Sequence, residues 1–116
     1  MGWFSKATDG FFLSTTNLEG LRTDQVLGVV HGEAIIGANI FRDMFSSIRD
    51  VVGGRAGGYE RALSGARDAA VEDLIEAARE LGANGVVGVD FDYEVLGEAN
   101  GMMMVAVSGT AIKLDR

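Results

Sequence analysis

A chain of 116 residues without internal repeats or prolines has the size of one domain, and 47% hydrophobic content excludes disorder as its resting state. A net charge of −7 removes the basic stripe that nucleic acid requires, and no apolar run approaches the roughly 20 residues of a membrane span. With no cysteine there are no disulfides and no thiolate metal ligands, which agrees with an expected cytoplasmic setting. Much of the apolar content is Ala and Val, and aromatics make up only 8%, so the core is slim and oligomerisation is favoured.

Taken in order, the opening MGWFSKATDGFF is too short and too polar for a signal peptide, and Lys6 stands where a myristoylation site needs Ser or Thr. Trp3 and Phe4 are expected to dock on the body or on a neighbouring subunit, or to fray, with membrane contact the lesser reading. Phe11–Thr16 reads as a short extended segment, followed by a turn at Asn17–Gly20. Gln25–Ala34 reads as a strand whose alternation sets Val26, Gly28, Val30 and Gly32 on one face. Leu27, Val29, His31 and Glu33 then fall on the other. Glycine at alternate strand positions costs stability, so it marks a close approach by a helix or another backbone.

Asn39 is placed to cap a helix running to about Val52, with Ile40, Phe41, Met44, Phe45 and Ile48 on one face; Gly53-Gly54 stops it. Tyr59–Leu81 is the strongest helical pattern, with Leu63, Ala66, Ala70, Leu74 and Ala78 at three- and four-residue steps and Gly82 as its stop. Val86–Val95 reads as a second strand with Val87, Val89, Phe91, Tyr93 and Val95 on one side and Asp90, Asp92 and Glu94 on the other. A hairpin loop at Gly97–Gly101 returns Met102–Leu114 as a third strand. A helical crossover leaves its flanking strands parallel, so the third strand is expected between the other two, in sheet order 1-3-2.

Three constellations carry possible chemistry. His31 and Glu33 share one strand face and Asp90, Asp92 and Glu94 another. Were these faces to coincide, the donors would suit a divalent ion, although same-face neighbours lie about 6.5–7 Å apart along a strand and a tight site would need donors from elsewhere. The alternative is a solvated face, or pairing with cations of an adjacent subunit. Gly54, Arg55 and Gly57 precede a helix, whose free amides attract anions, but neither a GxxxxGK[ST] nor a GxGxxG pattern is present, so the plainer reading is a tight corner. His31 is the sole candidate base, and Ser14, Ser46, Ser47, Ser64 and Ser108 sit in no GxSxG elbow, so no enzymatic activity is expected. Met102, Met103 and Met104 alternate faces and point to packing.

Two runs, GEAIIGANIFRDMFSSIRDVVGGRAGGYE (Gly32–Glu60) and LGANGVVGVDFDYE (Leu81–Glu94), resemble the signatures of the YbjQ-like proteins, small bacterial proteins labelled as heavy-metal-binding. The resemblance spans about Phe12–Leu114 and leaves residues 1–11 as an N-terminal extension to a single domain over 12–116. It implies an α+β fold, a two-layer, dodecin-like β-α-β-β subunit with a broken helix pair in the crossover, assembled as a homopentamer or as stacked pentamers. It gives Arg42, Asp43, Arg49, Asp50, Tyr59 and Glu60, with Arg55, a structural role in which alternating Arg and Asp pair across subunit contacts. It brings no established activity and no required cofactor. With one His and no Cys, the chain lacks the ligands that soft heavy metals prefer.

Overall fold

The computed structural model describes residues 10–37, 57–97 and 101–115. They form a mixed α+β unit with four strands and one helix: β1 (Phe12–Leu13), β2 (Arg22–Ile36), α1 (Gly57–Glu80), β3 (Gly85–Leu96) and β4 (Met102–Asp115). The strands lie in the order β1-β3-β4-β2. The last long strand lies between the other two as expected, but the sheet has four strands where the order 1-3-2 allowed three: Phe12–Leu13 joins beside β3, parallel to it, with Phe12 opposite Gly85 and Leu13 opposite Val86. A two-residue strand has no periodicity of its own to announce it. β4 runs antiparallel to both β2 and β3. The helix expected over Asn39–Val52 lies outside the described residues.

α1 packs on one face of the sheet, chiefly against β2. Its Ala70, Leu74 and Ala78 are wholly buried, as are Val86 and Val105 beneath them, with Val71, Ile75 and Val107 completing the centre. The alanines thin the contact ridge, and Gly32 does the same for the strand: a Cβ there would run into the backbone of Ala70 and Leu74. Of the alternating glycines of β2, Gly32 is therefore the one that admits the helix. The helix ends where Gly82 donates to the Arg79 carbonyl (2.9 Å) and Ala83 to the Ala78 carbonyl (3.1 Å), the bond pair of a Schellman stop. Phe11 is buried at this end, with the Arg79 guanidinium 5.4 Å from its ring centre.

Past the helix, the Asn84 side chain extends the sheet. Its Nδ2 donates to the Leu114 carbonyl (3.1 Å) and its Oδ1 accepts from the Leu114 amide (2.6 Å). Asp68 on α1 is less well served. Its Oδ1 is buried without a hydrogen-bond partner among the described residues. Burial, reinforced by the charge of Glu72, pushes its carboxyl above the ordinary range, while Arg67 pulls it back.

Candidate functional site

The face of the sheet turned away from α1 carries the acidic residues, and β-bulges decide which residues reach it. In β2 the register slips between Val26, opposite Ile112, and Gly28, opposite Ala111. Leu27 is the extra residue and packs against the core. Parity therefore reverses, so Val26 shares a face with Val29, His31 and Glu33, not with Val30 and Gly32 as strict alternation predicts; Val26 is 70% exposed. In β3 a second slip separates Val87, opposite Thr110, from Asp90, opposite Ser108. Gly88 turns this corner at φ +66°, a conformation that side chains with a Cβ rarely adopt. Val87 consequently joins the acidic face, against the sequence expectation, while Val89 and Phe91 pack on the core.

With these phases set, the outer face is read in rows across three strands. His31, Ser108 and Asp90 form one row; Glu33, Ala106 and Asp92 the next; Ile35, Met104 and Glu94 the third. The two faces that sequence could only suppose to coincide are thus one face. His31, Glu33, Asp90 and Asp92, with Ala106 and Ser108 as floor, line an open depression of about 230 Å³. A smaller hollow of about 160 Å³ beside it takes in Glu94 and Met104. All five candidate ligands are exposed.

Sharing a face is not convergence. β4 stands between the two flanking strands, which places His31 and Asp90 at backbone positions about 9–10 Å apart. Among the described residues no three His, Asp or Glu side chains come together as a metal site would require. The chemistry of the donors is oxygen and one imidazole. Met103 packs on the core, leaving Met104 as the thioether at the rim of the smaller hollow. This set does not fit a soft heavy-metal ion held by one chain.

Other candidates fall differently. Gly54, Arg55, Arg42, Asp43, Arg49 and Asp50 lie outside the described residues, and Gly57 begins α1. Tyr59 falls in the first turn of that helix, and Glu60 is exposed beside it. Two participants escape a reading of strand faces alone. Ser108 sits at the centre of the first row, and the hairpin foretells it: with Leu96 opposite Met102, counting back sets Asp90 opposite Ser108. Asp73 of α1 accepts a hydrogen bond from the Glu33 amide at 3.0 Å, and nothing in the helical pattern marks it. Among the described residues, no helix is long and apolar enough to cross a membrane.

Comparison with known proteins agrees with this architecture. The chain is similar in fold to a crystal structure of a protein of unknown function from Pediococcus pentosaceus, of the DUF74 family. The TM-score is 0.62 at 18% identity, over 91% of this chain and 99% of that one. The sequence profile of the YbjQ family, described as "Putative heavy-metal-binding", matches residues 11–115. A match over nearly the whole length settles the assignment: this chain is a member of the YbjQ family.

Proposed function

We propose that the protein is a non-enzymatic, cytoplasmic homo-oligomer: a dodecin-like subunit of a pentameric or stacked-pentamer scaffold that binds a divalent cation or small ligand where subunits meet. The observation that carries this reading is the outer face of the sheet. It gathers His31, Glu33, Asp90 and Asp92 around one depression yet leaves them too far apart to close a site within one chain. Donors from a neighbouring copy would complete it. Large apolar residues flank the polar ones on that face, Val29 at 68% and Ile35 at 59% exposure, as expected of a surface that another subunit covers. Carboxylate oxygens with one imidazole suit Mg²⁺, Mn²⁺ or Zn²⁺ better than thiophilic ions.

Native mass spectrometry of protein purified without chelator, repeated after EDTA, tests this reading. The expected result is a five- or ten-fold assembly carrying metal in stoichiometric amount, which EDTA removes and His31→Ala prevents from binding. An assembly without bound mass would reduce the proposal to a scaffold. A monomer would overturn it.

A further inference from the structure

Among the described residues, β2 is the long edge of the sheet, with no strand beyond it. From Val29 to Ile36 it pairs with β4 residue for residue, without a bulge. The Glu33 amide reaches Asp73 and so points away from β4. In an antiparallel ladder, amide and carbonyl directions alternate by residue. Val29, His31 and Ile35 therefore present their backbone polar groups outward with Glu33. Such an edge is a template for another strand, and proteins blunt it with Lys, Pro or bulges. This stretch contains none of the three.

Among the described residues, what stands there is α1. Gly32 lets the helix backbone settle on the strand, and from that position Asp73 holds the Glu33 amide in the middle of the outward run. An incoming strand would have to displace a charge-assisted hydrogen bond and bring its own carbonyl against a carboxylate.

The edge is also complementary to itself. An antiparallel pair of β2 edges centred on Gly32 sets His31 opposite Glu33 of the second copy, twice. Val29 lies opposite Ile35, also twice. Every one of these pairs falls where both residues have outward backbone groups, as the ladder requires. We propose that the Val29–Ile35 edge of β2 is a two-fold docking surface for a second copy of this chain, and that Asp73 is the gate that keeps it shut.

Asp73 is exposed on its helix, so alanine there is benign for helix formation. Sedimentation velocity of Asp73→Ala should show twice the mass of the wild-type assembly, with the Val29, His31 and Ile35 amides changing from fast to slow hydrogen exchange. Asp73→Asn, which keeps an acceptor, should stay near wild type. Adding Ile35→Pro, which removes one outward amide without touching the β4 ladder, should return Asp73→Ala to the wild-type mass. A folded Asp73→Ala with unchanged mass would overturn the proposal. So would an increase that Ile35→Pro fails to reverse, or a wild type whose Val29, His31 and Ile35 amides are already slow.

Discussion

The two faces of the sheet obey different rules. Under α1, fit is everything: alanines and Gly32 bring backbones close, and Leu74, Val86 and Val105 are wholly buried. On the opposite face, five ionisable side chains stand in solvent among exposed Val29 and Ile35. The inner face seats the helix on the sheet, while the acidic part of the outer face carries the residues available to something else. A sheet whose faces are so unequal separates stability from binding by residue.

Mutations can break or sharpen that division. The largest effect is expected from Leu74→Ala, which empties a fully buried site and should cost about 4 kcal/mol in urea denaturation. Gly32→Ala adds only a methyl, yet it meets helix backbone and should cost about 3 kcal/mol, since α1 must lift from the strand. A cost near zero would show that the helix is not seated on β2.

Asp68→Asn should act more weakly and in the opposite direction. The folded carboxyl is pushed up by burial, so the stability tied to it is greatest below its ordinary value of 3.8 and is lost as pH rises through the raised folded value. The variant should therefore melt higher than wild type near neutrality, and the difference should vanish in melts at about pH 3. A gain that persists in acid would assign the effect to packing. Smallest of all, Ser108→Ala and His31→Ala on the outer face should shift stability by no more than about 0.5 kcal/mol. A larger loss in isolated subunits would mean that the outer face, too, is structural.

The sequence made much of this legible. The three- and four-residue recurrence from Leu63 to Ala78 marks α1, since the residues it picks out share the helix face that packs on the sheet. The alternation of His31 with Glu33, and of Asp90 with Asp92 and Glu94, holds because no bulge interrupts those stretches. Alternation fails upstream of each, at Val26 and Val87, because an extra residue reverses parity. Glycine at 28 and 88 hints at a bulge without stating on which side it falls. Asp73 is hidden for another reason. In a helix rich in acids, its role is fixed by where α1 sits on β2, a distance of forty residues along the chain.

The Asn84 side chain, with its pair of bonds to Leu114, has a consequence for the chemical ageing of the protein. Asn84 precedes Gly85, and Asn-Gly is the dipeptide most prone to deamidation, through attack of the following backbone nitrogen on the side-chain carbonyl carbon. Both ends of the Asn84 amide are tied to β4, so turning that carbon for attack would cost both bonds for as long as the sheet end stays closed. Conversion to Asp would lose the donor to the Leu114 carbonyl and set a carboxylate against it. Damage at this position would therefore accumulate in molecules that have opened, and would then hinder them from closing again.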